Sequence, residues 1–323
     1  MTRHTRAPLA LLALLLTVAC ADEADTPATD TDPSDVETTA ADAPPPSTDL
    51  FLVELSAGDE GLPRPGDVRA LTDRPLYDNQ PFFLPGGEAI LYTAGREDEG
   101  TDIHRLELAS GESRALMRTD PENEYSPTPL GDGGIAVVRV ERDGTQRLWR
   151  FDIESGEVDG DRAELLLPDI EPVGYHAWLD ADRVALFILG SPASLHLAEV
   201  GTGWSQLIFE GIGPSIQKIP GEDAVSFVEV GQDGRSWIRR LDGTTGSTSR
   251  IVETRDGGSD HAWTPDGILL MASGRELLAH RPGVDDEWHS LGEVGPSAIE
   301  WTRIAVSPGG DRLVMVGREE PGS

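Results

Sequence analysis

Short stretches of alternating hydrophobic and polar residues dominate the chain after residue 49. They include AILYTA, IAVVRV, RVALFIL, AVSFVEV, ILLMAS and RLVMVG, which are rich in valine, isoleucine and leucine. Such alternation predicts half-buried β-strands. No stretch of a dozen residues in this region combines helical 3.6-residue periodicity with the absence of glycine and proline. The pattern therefore predicts an all-β domain.

Each of these strands follows a turn signal made of glycine, proline and aspartate. The six signals are PGGE at Pro85, GDGG at Gly131, DADR at Asp180, PGED at Pro220, TPDG at Thr264 and SPGGD at Ser307. Each strand is followed by a second pair of strands, as in 102–117 and 147–166. The unit repeats about every 45 residues, a period typical of a four-stranded propeller blade. Its period markers, one just before each turn, are Phe83, Pro129, Trp178, Lys218, Trp263 and Val306.

These repeats resemble those of TolB-like β-propellers, whose pattern is roughly P-x-W-S-P-D-G, an alternating strand and then D-I-x-x-L-x-x-x-S-G. The matching segments are PFFLPGG (81–87), HAWTPDG (261–267) and VSPGGDRLVMV (306–316). The resemblance spans residues 50–319 and implies a six-bladed propeller of WD-repeat-like architecture. Five or seven blades are the alternatives if the weak repeat around Lys218 is parsed differently.

The two ends of the repeat region complement each other. Residues 50–55 and 67–73 form an outer strand pair without an inner pair before it, and residues 304–317 form an inner pair without an outer pair after it. We expect the two halves to make one composite blade, which closes the ring and leaves no exposed sheet edge between the chain ends.

The amino terminus has the charge pattern of an export signal. Arg3 and Arg6 precede an apolar run over 7–19, and about 13 residues are too few to span a bilayer. The run ends in LLLTVAC, which resembles the lipobox of bacterial lipoproteins and implies lipidation of Cys20. Ordinary signal cleavage, which would release a soluble protein beginning at Asp22, is the alternative.

An acidic segment separates this signal from the repeats. Residues 21–49 contain nine acids, no bases and no aromatic residues, so they lack the apolar surface needed to fold. We interpret the segment as a disordered tether, with a partner-docking tail as the alternative. The predicted organisation is a signal peptide (1–19), lipidated cysteine and tether (20–49), propeller (50–319) and tail (320–323).

Composition excludes several classes of function. The formal net charge is −32, which disfavours nucleic acid because the surface repels a polyanion. The single cysteine excludes disulfide scaffolds and cysteine-ligated metal clusters. The sequence has no G-x-S-x-G, H-E-x-x-H or H-x-H motif, so we predict no catalytic residues, no metal ligands and no cofactor.

Two histidines occupy the same repeat position. His176 in GYHAW and His261 in SDHAW lie two repeats apart in the predicted innermost strands. Together with Asp260 and Glu300 they could bind a divalent cation or an anionic ligand at the channel mouth. We favour the alternative that the HAW motif packs between blades and that each histidine hydrogen-bonds a loop.

The segments that lead into the innermost strands should surround the mouth of the central channel. They are rich in aromatic and acidic residues, which suit a basic peptide, a sugar or a cation. An ordinary solvated rim is the alternative. The candidate binding residues are Tyr77, Asp78, Asn79, Glu122, Glu124, Tyr125, Tyr175, His176, Asp260, His261, Glu300, Trp301 and Arg303.

The sequence thus predicts a non-catalytic binding or scaffolding module anchored in the bacterial envelope by Cys20. The expected partner is an envelope protein or peptide, with a glycan as the alternative, and the membrane is contacted only through the lipid. The expected location is the outer membrane or the periplasmic face, with the cell surface as the alternative. Two other functions stay open, a metal-dependent lyase or hydrolase and a carbohydrate-binding surface protein.

Overall fold

The computed structural model describes residues 46–154, 157–158, 163–255, 258 and 260–319. The predicted signal peptide, Cys20 and almost all of the acidic segment lie outside the described residues. Of the 26 described strands, 24 form six four-stranded antiparallel sheets. The predicted all-β, six-bladed propeller is confirmed.

The first two strands, β1 (Asp49–Ala57) and β2 (Pro63–Ala70), are joined by a 3-10 helix (Asp59–Gly61). Blade 1 contains β3 (Asp78–Phe83), β4 (Ala89–Gly95), β5 (Thr101–Glu107) and β6 (Ser113–Ala115). Blade 2 contains β7 (Asn123–Pro129), β8 (Ile135–Val140), β9 (Gln146–Phe151) and β12 (Glu164–Leu165), with the small hairpin β10 (Ile153–Glu154) and β11 (Glu157–Val158) before its last strand.

Blade 3 contains β13 (Val173–Trp178), β14 (Arg183–Ile188), β15 (Ser194–Glu199) and β16 (Trp204–Glu210). Blade 4 contains β17 (Ile212–Lys218), β18 (Ala224–Val230), β19 (Ser236–Asp242) and β20 (Thr248–Glu253). Blade 5 contains β21 (His261–Trp263), β22 (Leu269–Ser273), β23 (Glu276–His280) and β24 (His289–Glu293). Blade 6 combines β25 (Ile299–Val306) and β26 (Arg312–Glu319) with β1 and β2.

Blade 6 closes the ring as the sequence predicts. Its strand order is β2-β1-β26-β25, so β1 lies inside the sheet between strands from both ends of the repeat region. Leu50 pairs with Val316, and Val53 pairs with Leu313. The composite blade is therefore held by a full antiparallel ladder.

The core lies between neighbouring blades. All seven residues of β4 are buried, because a middle strand is covered on both faces by the adjacent sheets. Between blades 5 and 6, for example, Leu270 packs in one apolar cluster with Leu313 and Met315. The burial of both sheet faces explains why the second strand of each blade is the most hydrophobic.

Two details differ from the repeat pattern. The repeat around Lys218, the weakest match in sequence, forms a complete four-stranded blade. In blade 2, the segment 153–158 pairs with itself instead of providing the outer strand, because Ile153 is opposite Val158 and the outer strand begins only at Glu164. Within the described part of the chain, we find no helix with the length and apolar character needed to cross a membrane.

Candidate functional site

The first strand of each blade faces the axis of the propeller, and five of these six strands are irregular. β3, β7, β13, β17 and β25 each have a register shift against the second strand of the blade. At equivalent positions of β3 and β7, Gln80 and Ser126 have φ values of 54° and 53°. A bulge bends a strand and redirects its side chains. These irregularities shape the centre of the ring.

A cavity of about 500 Å³, which we call the axial cavity, lies on the propeller axis. It is lined by the first strands of all six blades and by the turns that follow several of them. All six period markers of the sequence contribute, among them Trp178, Lys218 and Trp263. Phe82 also lines the cavity and is 42% exposed. We call the end of the cavity next to these turns the turn end. The side chains that line it are mostly aromatic, aliphatic or proline.

Arg303 and Tyr175 are the first residues of β25 and β13 to line the axial cavity, at the end opposite the turns. Arg303 belongs to blade 6 and Tyr175 to blade 3, on opposite sides of the ring, yet Arg303 Nη2 lies 3.3 Å from Tyr175 Oη. The guanidinium carbon is 5.0 Å from the centre of the tyrosine ring. Gln80 donates from Nε2 to Tyr77 Oη at 3.3 Å on the same side. Arg303, Tyr175 and Gln80 line the axial cavity and bound its inner end.

The acidic and amide groups at the start of β3 are buried. Asp78 is fully buried and accepts two hydrogen bonds from the guanidinium of Arg74, one of them from Nε at 3.0 Å. Burial raises the pKa of the Asp78 carboxyl, and Arg74 opposes this shift. Asn79 donates to Thr48 Oγ1 at 3.3 Å. The Asn79 side chain therefore fixes β3 against the segment that leads into β1, and the Asp78 side chain fixes it against the segment between β2 and β3.

Glu124 is also fully buried, at the start of β7. Thr119 donates to its Oε1, Arg139 Nε lies 3.2 Å from the same oxygen, and Oε2 has no hydrogen-bond partner among the described residues. Burial raises the pKa of Glu124 to about 7. Glu122, by contrast, accepts from Arg142 Nε at 3.0 Å near the surface.

The two equivalent histidines have separate partners. His176 Nε2 donates to the carbonyl oxygen of Ser126 at 3.0 Å, and burial lowers the pKa of His176 to about 4. The His261 ring lies between two hydroxyl groups, with Nδ1 3.1 Å from Ser215 Oγ and Nε2 2.7 Å from Ser226 Oγ. Burial lowers the pKa of His261 to about 3. Both imidazoles are therefore neutral at pH 7.

The other candidate residues also make contacts within the propeller. Asp260 Oδ2 accepts from the backbone nitrogen of Ile304 at 2.8 Å. Glu300 accepts from Arg318 at 2.5 Å, and Trp301 Nε1 donates to the carbonyl oxygen of Val294 at 3.0 Å. Tyr125 packs, partly buried, against the apolar cluster between blades 2 and 3.

The candidate residues are thus gathered at one end of the ring, where many hold neighbouring blades together, and a binding role for them stays a prediction. Only Tyr175, His176 and Arg303 of that set line the axial cavity. Phe82, Trp178 and Trp263, which are absent from the candidate set, line the cavity at its turn end. The sequence did mark Trp178 and Trp263, because the cavity uses the same repeat position that marks the period, and Phe82 directly precedes the marker Phe83.

Among the residues that the structure describes, no group of three or more histidine, cysteine, aspartate or glutamate side chains is placed to hold a metal ion. The possible cation site at His176 and His261 therefore has no third ligand of these types within the described ranges. The carbonyl and hydroxyl contacts of the two imidazoles are those that a packing role requires.

The fold is that of a six-bladed β-propeller closed by a composite blade, and it is similar to the propeller of TolB proteins. Comparison with solved structures shows the same fold. A putative TolB from Agrobacterium tumefaciens is 14% identical, with a TM-score of 0.58, and the match covers 85% of this chain and 99% of that protein. TolB from Acinetobacter baumannii is 12% identical, with a TM-score of 0.53, and the match covers 84% of this chain but only 64% of that protein.

An enzyme has the same architecture. The oligogalacturonate lyase of Vibrio parahaemolyticus is 14% identical, with a TM-score of 0.53, and the match covers 78% of this chain and 81% of that protein. Comparisons with protein-family models and with curated proteins found no match. At these identities the similarity establishes the fold, and function has to be argued from the site.

Proposed function

We propose that this protein is a non-catalytic binding module of the bacterial envelope, which holds a protein or peptide partner in its axial cavity. The observation that carries the proposal is the cavity itself, about 500 Å³ in volume and built by the first strands of all six blades. Trp178, Trp263 and Phe82 provide rigid apolar area at its turn end. Aromatic anchors of this kind dominate the energy of many protein interfaces.

The contacts of the polar residues support a binding function over a catalytic one. A general base must have a free lone pair within reach of substrate and a pKa suited to the working pH. His176 and His261 are buried and neutral, with pKa values lowered to about 4 and about 3. Both ring nitrogens of His261 and Nε2 of His176 contact groups of neighbouring strands, whereas Nδ1 of His176 is buried without a hydrogen-bond partner among the described residues. The TolB-like fold is compatible with this proposal, although the lyase shows that such a ring also supports chemistry.

The proposal includes attachment to a membrane through a lipid on Cys20, with the acidic residues 21–49 as a spacer. Its support is the charge and hydrophobicity pattern of residues 1–20. Intact mass spectrometry of protein purified from membranes of its native host tests it. We expect a diacyl or triacyl mass on Cys20 and none on the Cys20→Ser control. An unmodified chain beginning at Asp22 would replace the anchored form with a soluble one.

Site-specific photocrosslinking in the native host tests the binding function. A photoreactive phenylalanine analogue at Phe82, on the rim of the axial cavity, should yield a defined adduct. The matched control is the same analogue at Val284, which is 72% exposed in blade 5 and does not line the cavity. Adduct formation at Val284 alone, or one bound metal per chain in native metal analysis, would contradict a non-catalytic module that binds through the cavity.

A further inference from the structure

The axial cavity differs in charge from the rest of the molecule. The sequence has 58 acidic residues among 323, but no described aspartate or glutamate lines the cavity. Two cationic residues line it: Arg303 at the inner end and Lys218, the single lysine of the chain, near the turn end. The ammonium of Lys218 donates to the backbone carbonyl oxygens of Glu222 and Ala224. The cavity is therefore a largely apolar region inside an acidic protein, and Arg303 gives it a cation that favours an anionic group able to leave bulk water.

Arg303 has hydrogen-bonding capacity left for a ligand. A guanidinium has five N–H donors, and the contact of Arg303 with Tyr175 Oη uses one of them. Among the described residues, Arg303 forms no ion pair with a carboxylate, unlike Arg139 with Glu124 or Arg239 with Glu229. The tyrosine ring 5.0 Å from its guanidinium carbon holds the group in position.

The charge of Arg303 is also maintained. Burial acts to lower the pKa of its guanidinium, but Tyr175 and Asp260 outweigh this effect and raise the pKa above its ordinary value. Asp260 itself does not line the cavity, and one of its carboxylate oxygens accepts from the backbone of Ile304 at 2.8 Å. A ligand in the cavity would therefore meet a fixed cation and no competing acid on the cavity wall.

The shape of the cavity selects the end of a polypeptide. Arg303 and Tyr175 meet across the axis, so an extended chain enters from the turn end and stops at the guanidinium. An α-carboxylate is an anionic group found only at the tip of a chain, with side chains directly behind it. Trp178, Trp263 and Phe82 lie where those side chains would be. Capture of a terminal carboxylate is an established mode of peptide recognition.

We propose that the axial cavity binds the carboxyl terminus of a partner protein, with the α-carboxylate on Arg303 and apolar terminal side chains against Phe82, Trp178 and Trp263. The planar guanidinium matches a carboxylate in geometry and can bind it through two parallel hydrogen bonds. This inference rests on the proposed function, since it assumes a peptide ligand in the cavity, and it specifies which part of the peptide is recognised.

Calorimetry with a pair of synthetic peptides tests the inference. The probes are acetyl-Ala-Pro-Leu-Phe with a free α-carboxylate and the same peptide with a terminal amide. We expect the free acid to bind at least about tenfold more tightly, because charge-assisted hydrogen bonds are the stronger ones. Arg303→Gln should reduce the affinity for the acid to that for the amide, and Arg303→Lys should retain part of the preference.

The control is Arg250→Gln in blade 4, which removes a guanidinium paired with Glu229 at 2.9 Å outside the cavity and should change neither affinity. Circular dichroism and thermal unfolding establish that each variant is folded. Equal affinities of acid and amide, or an unchanged preference in Arg303→Gln, would overturn carboxylate recognition and leave a peptide-binding propeller intact. Failure of both peptides to bind folded wild-type protein would also overturn it, whereas the binding function itself is decided by the crosslinks from Phe82.

Discussion

The guanidinium of Arg303 lies over the ring of Tyr175, 5.0 Å from its centre, although the two residues come from blades on opposite sides of the ring. A single arginine side chain therefore links blades that are not neighbours. Tyr175 is supported in turn by Phe187, with ring centres 5.7 Å apart in an edge-to-face arrangement. The contact both bounds the axial cavity and couples opposite blades.

Tyr175→Phe and Tyr175→Ala separate the two parts of this contact. Loss of the hydroxyl removes one long hydrogen bond and should cost less than about 1 kcal/mol in the free energy of unfolding. Loss of the ring removes the cation–π contact and the packing on Phe187, and should cost about 3 kcal/mol. Denaturant unfolding of both variants measures the difference, and equal losses would show that the ring contributes nothing beyond its hydroxyl.

His261 should make stability depend on pH. Its folded pKa is about 3, below the ordinary value of 6.5, so its contribution is complete above pH 6.5 and is lost as the pH falls towards 3. His261→Gln should be destabilised by about 2 kcal/mol at pH 7.5, because Ser215 and Ser226 lose a partner. Between pH 7.5 and pH 5 the difference in the free energy of unfolding between wild type and His261→Gln should shrink by about 1–2 kcal/mol. Parallel stability curves for the two proteins would count against a buried neutral imidazole.

Glu124 should make the free energy of unfolding depend on pH in the sense opposite to His261. Its folded pKa is about 7, above the ordinary value of 4.5, so the folded state favours the protonated acid, and stability is lost as the pH rises from 4.5 through 7. Glu124→Gln imitates the protonated form. We therefore expect the stability of this variant relative to wild type to rise by about 2 kcal/mol between pH 5 and pH 8, as measured by urea unfolding.

Glu122→Gln is the matched control for Glu124. Although burial acts to raise the pKa of Glu122, a backbone hydrogen bond and Arg142 lower it below its ordinary value. The stability of Glu122→Gln relative to wild type should therefore rise as the pH falls, and it should do so mainly below pH 5. If both variants respond alike between pH 5 and pH 8, the effect comes from the overall negative charge and not from the burial of Glu124.

The composite blade should be sensitive to packing at its joint. Leu50 is fully buried opposite Val316, between blades 6 and 1. Leu50→Ala should reduce the free energy of unfolding by about 2–4 kcal/mol. Leu207→Ala on the outer strand of blade 3, where the leucine is 48% exposed, should change it by less than about 0.5 kcal/mol. Similar losses in the two variants would mean that the joint is no more critical than the outer surface.

The architecture was predictable because each blade repeats one physical requirement. Its middle strands are buried on both faces, which imposes the hydrophobic runs, and its turns need residues such as Gly267 with a φ of 86°. The repeat around Lys218 shows the limit of this signal. Its first strand keeps the fold with lysine at the position of the expected aromatic, because the side chain lies at the cavity wall and its ammonium donates to backbone carbonyl oxygens of Glu222 and Ala224.

The site was predicted less completely, since side-chain partners distant in sequence decide which polar groups are available. Sequence alone gives no sign that Arg139 lies against Glu124 or that His261 is enclosed by Ser215 and Ser226. It also does not show which end of the channel is obstructed. That depends on Arg303 and Tyr175, which are 128 positions apart.

The position of β1 inside blade 6 has a mechanical consequence. A pull on the chain at Asp49 acts along a strand that is hydrogen-bonded on both sides, to β2 and to β26. Such a load shears two ladders at once instead of peeling an edge strand away one hydrogen bond at a time. A propeller held from its N-terminal side would therefore withstand traction on its partner without the ring being opened at its seam.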